Sequence, residues 1–228
     1  MAISESESVN EIAAGQRLSD VAYARILEGL FDRRLPAGAF VSQNELVKLL
    51  GIPVAPLRDA LRVLEAEGVL TIHPRSGIQF VKPGLELTKA TYQFRTIVER
   101  AAARVFAETA DDAELADLSR RHGDIMARIE ADGLTPGSID QIEELELALH
   151  NAIIASLGNP LIESTYRRMH NYLRLVRLER KLTAPIALRS LREHLEIIVA
   201  CEARDPDKAE TTIQAHFTAA LQRHMGLY

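Results

Sequence analysis

Glu146 and His150 stand four residues apart, so on a helix they project from one face and both can reach a single cation. His194 and His216 lie in two later stretches of the chain. One carboxylate with three imidazoles is a ligand set for a divalent transition metal, with Zn, Ni or Mn each reasonable from donor type alone. The histidines also fall among apolar residues at helical spacing: His150 with Ile142, Leu149 and Ile153, His194 with Leu191, Ile197 and Ile198, His216 with Ile213 and Ala220. That pattern points all three rings inward. Taken singly, each is more often an ordinary core histidine, and spacing in one dimension leaves both readings open. Four protein ligands would leave up to two positions of an octahedral ion for an organic carboxylate.

A second group of residues is cationic. The stretch from Ala55 to Glu67 carries Leu57, Ala60, Leu61, Val63 and Leu64 on one face and Arg58, Asp59, Arg62 and Glu65 on the other. A short helix over Glu45 to Leu50, ended by Gly51 and followed by a tight turn, precedes it. This is the order of a helix-turn-helix, whose second helix sets its N-terminal residues against base edges in the major groove. Arg58 is the expected base reader, because a bidentate arginine on guanine contributes about 1 to 3 kcal/mol of discrimination. Arg62, one turn further on, and Arg75, at the tip of the turn Pro74-Arg75-Ser76-Gly77, are placed for phosphates or the minor groove. The competing reading pairs Arg58 and Arg62 with Asp59, Glu65 or Glu45 on a solvated face.

The elements that must position these groups follow from periodicity. Residues 1–13 are rich in Ser and Glu without a sustained apolar period and read as a flexible tail. A first helix starts at Ser19, its expected cap, and stops before Leu35-Pro36-Ala37-Gly38. After Gly68, Val69-Leu70-Thr71-Ile72-His73 and Ile78-Gln79-Phe80-Val81 are β-prone runs about a turn, so the order helix, helix, helix, hairpin predicts a winged helix over 14–82. Lys82-Pro83-Gly84 is the break before a second domain over 83–228, where helices are expected over 87–108, 111–131, 139–156, 160–181, 185–203 and 206–225. Ser138, Asn159 before Pro160, and Asp205 before Pro206 supply their capping chemistry. The fold class is mainly α: an N-terminal winged helix-turn-helix and a C-terminal all-α helical bundle.

Charge and cysteine usage narrow the function. The net charge of −5 argues against a protein that coats nucleic acid indiscriminately, and only residues 14–82 lean basic, with nine Lys or Arg against seven Asp or Glu. One cysteine, Cys201, cannot close an intrachain disulfide, and the start lacks a secretory pattern, which predicts a cytoplasmic chain. No uncharged apolar run approaches the roughly 18 residues that cross a bilayer, so no membrane partner is expected.

Several blocks also carry a family resemblance. Leu35-Pro36-Ala37-Gly38, Asn44-Glu45-Leu46, Leu50-Gly51-Ile52, Pro56-Leu57-Arg58-Asp59-Ala60-Leu61 and Leu64-Glu65-Ala66-Glu67-Gly68 resemble, in order and spacing, the winged-helix signature of the GntR family. Arg95-Thr96-Ile97-Val98-Glu99, then His150-Asn151-Ala152-Ile153 leading to Gly158-Asn159-Pro160, then Glu193-His194 followed by Asp205-Pro206 and His216, resemble the FCD ligand-binding domain of the FadR subfamily. Six helices rather than seven are similar to its shorter, VanR-like branch. The resemblance implies a transcription repressor or activator, with Asn44 and Ala55 joining Arg58, Arg62 and Arg75 at DNA-facing positions. Pro53-Val54-Ala55 replaces the usual Ser-Arg-Thr-like triplet and Asn44 an arginine, which loads the base reading onto Arg58. The resemblance also implies a divalent cation on Glu146, His150, His194 and His216, with Glu146 where Asp is usual. Arg95 is then the cation for a carboxylate effector, or else an i to i+4 partner of Glu99.

The function expected is a homodimeric regulator that reads an inverted-repeat operator in double-stranded DNA and is released or remodelled by a small carboxylate bound at the metal. A metal-dependent hydrolase and a sensor of the ion itself are the alternatives. For an enzyme the chain offers no paired acid and base beside the ligands, no Gly-rich phosphate loop and no Gly-x-Ser-x-Gly elbow. His73, His122, His170, His224 and Cys201 are assigned no role.

Overall fold

The computed structural model describes residues 17–178 and 182–226; the tail expected over 1–13 and the end of the helix expected over 160–181 lie outside them. The chain falls into two compact units. The first holds the described residues up to Gly84 with the stretch from His170, and the second holds Leu85–Met169 with the residues from Leu182 onward.

In the first unit, α1 (Leu18–Phe31) buries Ala22, Ile26, Leu27 and Leu30. Its cap position is Arg17, which makes no side-chain cap bond, so Ser19 does not play the part expected of it. Helix α2 (Gln43–Leu50) starts earlier than its apolar pattern suggests, because Ser42 and Glu45 close a capping box. Ser42 Oγ accepts from the Glu45 N–H at 3.2 Å, and Glu45 Oε2 accepts from the Ser42 N–H at 2.7 Å. Gly51, at φ 65°, ends α2 in the left-handed region. Helix α3 (Val54–Ala66) then buries Leu57, Ala60, Leu61 and Leu64, turning its charged residues to solvent.

Strands β2 (Leu70–His73) and β3 (Gly77–Phe80) form the expected hairpin. A third strand, β1 (Phe40–Val41), pairs antiparallel with β3, giving the order β1-β3-β2. Two residues are too few to show alternation, so the sequence pattern does not betray it. Gly77 is required at this junction: its φ is 106°, and a Cβ there would stand 3.0 Å from the Val41 carbonyl oxygen.

The second unit is helical: α4 (Leu85–Thr109), α5 (Asp112–Asp132), α6 (Pro136–Ala155), the first turns of α7 (Pro160–Leu178), α8 (Ala184–Glu202) and α9 (Pro206–Met225). Helix α4 packs against α6, α8 and α9, while α5 packs against α6 and α8. Helix α6 begins one turn before the expected start, because Thr135 is its cap and Pro136 its first residue; Ser138 answers Thr135 across a capping box. Asp205 caps α9 by accepting the Lys208 N–H at 2.9 Å. Among the described residues no helix is long and apolar enough to cross a membrane.

Ser42→Ala removes one half of the α2 cap and should destabilise the first unit by about 1 kcal/mol. Urea unfolding of the variant checks this; a midpoint identical to wild type would mean that the capping box does not hold α2.

Candidate functional site

Helix α4 is the origin of the site. It is 25 residues long, and among the Ala, Tyr and Phe residues of its buried face it carries Arg95 and Glu99, which are 1% and 0% exposed. An i to i+4 spacing lets Arg95 Nε donate to Glu99 Oε1 at 2.6 Å, and Arg95 Nη1 reaches Glu146 Oε1 on α6 at 3.3 Å. The Arg95 guanidinium carbon also stands 4.5 Å from the centroid of the Phe217 ring. Arg95 Nη2 is buried and makes no hydrogen bond.

Glu146, one turn before His150 on α6, faces the rings of His194 from α8 and His216 from α9. One ligand atom from each of the four lies within 4.8 Å of the others, and all four residues are buried. His150 Nε2 and His194 Nε2 each stand 3.4 Å from a different oxygen of Glu146. The rings of His194 and His216 are 4.8 Å apart between centroids.

The outer nitrogens decide what the inner ones can do. His150 Nδ1 lies 2.5 Å from Glu99 Oε2, and His216 Nδ1 lies 2.8 Å from Glu193 Oε2. A carboxylate only accepts, so both Nδ1 atoms carry the proton and leave Nε2 as the nitrogen with a free lone pair. Arg223 holds Glu193 through two bonds, at 2.5 and 2.7 Å, and Tyr166 donates its hydroxyl to Glu99 Oε1 at 2.8 Å. His194 Nδ1 meets a neutral partner instead, His122 Nε2 at 3.2 Å, and His122 Nδ1 lies 2.7 Å from the Leu118 carbonyl oxygen.

Burial and ion pairing act in opposite directions on the rings and carboxylates of this cluster. Burial presses His194 well below the usual histidine range and lowers His122 and His216 as well. Burial alone would raise the Glu99 carboxyl, but Arg95 and His150 outweigh it and bring it down to about 2. At Glu193 the bonds from His216 and Arg223 likewise overcome burial and bring it to about 2. Counting formal charges with uncharged imidazoles, Arg95 against Glu99 and Glu146 gives this buried cluster −1.

The residues present fit a divalent transition ion. His150 Nε2 and His194 Nε2 are buried lone-pair donors with no hydrogen-bond partner, and each ring is steadied from behind by a hydrogen bond, as ligating histidines are. Two donors on opposite sides of an ion at about 2.1 Å each would be about 4.2 Å apart, and the four donor atoms here all lie within 4.8 Å of one another, so a small inward movement would close them on an ion.

In the first unit Asn44, Ala55, Arg58, Arg62 and Arg75 are all exposed, on α2, α3 and the hairpin turn. Arg58 Nε donates to Gln43 Oε1 at 3.1 Å, a neutral partner rather than one of the acids considered from sequence. Arg62 does pair with Asp59, at 3.9 Å between two exposed groups, a contact worth little. Val54 opens α3 at 39% exposure and so does not pack into the core. Sequence reasoning passed over Gln43, Glu193 and His122, and weighed Glu99 only as a partner of Arg95. Their roles depend on contacts across elements; the one local signal was His122 standing at helical spacing from the buried Leu118 and Ile125.

Comparisons with known proteins place these features in a wider set. The family model of the FCD domain matches residues 90–219, and that of the bacterial regulatory proteins of the gntR family matches residues 18–80. The HTH-type transcriptional regulator YdhC of Bacillus subtilis is 22% identical over 196 residues, which are 86% of this chain and 85% of that protein. The structure of E. coli McbR/YncC superposes with a TM-score of 0.73 at 17% identity, over 93% of this chain and 99% of that one. The Zn2+-bound FCD domain of TM0439 is similar at a TM-score of 0.51 and 20% identity, over 63% of this chain and 94% of that one.

Arg95→Ala would leave Glu99 and Glu146 buried without their counter-charge, and should destabilise the metal-free second unit by about 3 to 5 kcal/mol. Urea unfolding in the presence of a chelator measures this. A loss below about 1 kcal/mol would mean that Arg95 is not what makes these carboxylates tolerable inside the bundle.

Proposed function

Because the chain belongs to the gntR family of bacterial regulatory proteins and carries its FCD domain, we propose that it is a transcription regulator whose DNA binding responds to a small carboxylate at a metal centre. The observation that carries the sensing half is the convergence of Glu146, His150, His194 and His216 with the outer nitrogens of the three rings already engaged. Those four residues would hold the ion. Zn2+ is the first to test, since the FCD domain of TM0439 is Zn2+-bound, with Ni2+ and Mn2+ compatible with the same donors.

A divalent cation there would supply positive charge and a Lewis-acidic anchor for an oxyanion. It would also change the buried cluster from −1 to +1, and one carboxylate would then restore neutrality. Arg95 Nη2 is the group to receive that carboxylate, being a buried donor with no partner of its own. Phe217 stacks on His150 and lies under the Arg95 guanidinium, giving the site an apolar wall.

On the DNA side, α3 would lie in the major groove with Arg58 on a base edge, its Nη atoms presented outward by the bond from Nε to Gln43. Val54 and Ala55 beside it offer only apolar contact, suited to a thymine methyl group. Arg62 and Arg75 serve phosphates or the minor groove, and Asn44 meets the DNA from α2. Two copies of the chain would read the two halves of an inverted repeat. The effector changes operator occupancy by binding the DNA-competent and DNA-incompetent states differently, a coupling of about 1 to 3 kcal/mol.

Mass spectrometry of the purified, tag-free protein should find about one divalent cation per chain, and none in the variant with His150→Ala and His194→Ala. An unloaded wild type under conditions that preserve metal would sink the sensing half. For the DNA half, Arg58→Ala should weaken operator binding about 10- to 100-fold in fluorescence anisotropy, with a much smaller effect on random-sequence DNA. Equal losses on both would remove Arg58 as the base reader.

A further inference from the structure

The three imidazoles of the centre are not supported alike. Behind His150 stands Glu99 and behind His216 stands Glu193, each an ionised carboxylate that an arginine holds in turn. Behind His194 stands another imidazole, His122, from α5, and this ring is wholly buried. Its Nδ1 faces the carbonyl oxygen of Leu118, one turn back on the same helix, at 2.7 Å. A carbonyl oxygen only accepts, so His122 Nδ1 carries the proton, and in the neutral ring Nε2 is left with its lone pair. That lone pair faces His194 Nδ1 at 3.2 Å, so the proton between the rings belongs to His194. The consequence falls on the far side of His194: its Nε2 carries no proton and stands 3.4 Å from Glu146 Oε2.

We propose that His122 is a positioning residue of the metal centre, fixing through a carbonyl, imidazole, imidazole relay the tautomer and rotation in which His194 presents its Nε2 lone pair to the ion. The proposal rests on the reading of the four converging residues as a metal centre, and it adds a fifth residue that contacts no ion. Without His122, His194 Nδ1 has no hydrogen-bond acceptor among the described residues. The ring then gains by moving its proton to Nε2, where Glu146 accepts it, and the proton sits in the place of the metal. His122 opposes that exchange. An outer hydrogen-bond partner of this kind typically changes metal affinity by about 10- to 100-fold.

Three proteins test it: wild type, His122→Phe, which keeps a ring but offers no acceptor, and His122→Gln, whose amide oxygen reaches about as far as Nε2. Zn2+ affinity is read by competition with a chromophoric chelator. The tautomer of His194 is read in the metal-free proteins from long-range 1H–15N correlations of the imidazole. The expected result is a 10- to 100-fold weaker Zn2+ affinity for His122→Phe and near wild-type affinity for His122→Gln. The Nδ1–H form of His194 should persist in wild type and His122→Gln and give way to Nε2–H in His122→Phe. Zn2+ affinity within threefold of wild type for His122→Phe overturns the proposal while leaving the metal centre standing. So does an Nε2–H tautomer of His194 in wild type, a measurement that holds even where the Phe variant fails to fold. Absence of Zn2+ binding by wild type overturns the reading of the metal centre, and this role of His122 with it.

Discussion

The bundle is organised around a charge that it cannot leave alone. Arg95 lies inside the second unit with Glu99 and Glu146 within reach of its guanidinium, and none of the three is more than 4% exposed. Removing such groups from water costs several kcal/mol each, a cost that apolar side chains of similar volume would avoid. A bundle selected for stability alone would have Leu or Met at these positions. The arrangement is tolerable only because it is densely bonded: Glu99 alone receives Arg95, Tyr166 and His150. Yet the compensation is incomplete, with two carboxylates against one guanidinium and three buried nitrogens on Arg95, His150 and His194 lacking hydrogen bonds. Buried polar groups left in this condition call for a specific explanation, and the proposed metal centre supplies one.

The directions of two of the imidazoles follow from buried carboxylates that arginines hold. Glu99, held as a carboxylate at about 2 by Arg95 and His150, can only accept, and this commits His150 Nδ1 to donating. Glu193, held by Arg223, commits His216 in the same way. Two arginines thereby govern, through two carboxylates, which nitrogens remain available inside. A carboxylate behind an imidazole also raises its basicity as a ligand, and a second imidazole does so less. In the proposed centre His194 would therefore be the weakest of the three nitrogen donors.

How much of this was legible in the sequence depends on how far apart in the chain the partners are. The pair Glu146 and His150 announces itself because four residues make one helical turn, and the apolar neighbours of His194 and His216 turn their rings inward. The six bundle helices follow from the same periodicity, apart from ends such as that of α6, where Pro136 and Gly137 hide a cap one turn earlier at Thr135. The contacts from His122 to His194, from His150 to Glu99 and from His216 to Glu193 join different helices. No local pattern encodes which histidine on one helix meets which group on another. A buried histidine beside leucines looks the same in sequence whether it fills space or orients a ligand, and only the packing of α5 on α8 brings His122 against His194.

One device recurs in the two units, at the two places where the proposed function is concentrated. Arg58 is braced by Gln43 and His194 by His122, and in each case the brace is a neutral acceptor. An acid at position 43 would orient Arg58 equally well, but it would also offset the positive charge that a guanine edge or a phosphate is to meet. An acid behind His194 would bring a further negative charge to a buried cluster already at −1. A neutral acceptor restricts rotation, which is where most of the entropy of a long or bistable side chain lies, without altering the electrostatics of the group it serves. Where charge itself is what must be stabilised, as at Glu99 and Glu193, the braces are arginines. Of the three imidazoles, His150 and His216 are braced by carboxylates that arginines hold in turn, and His194 alone by a neutral ring, so the two kinds of brace meet within one cluster.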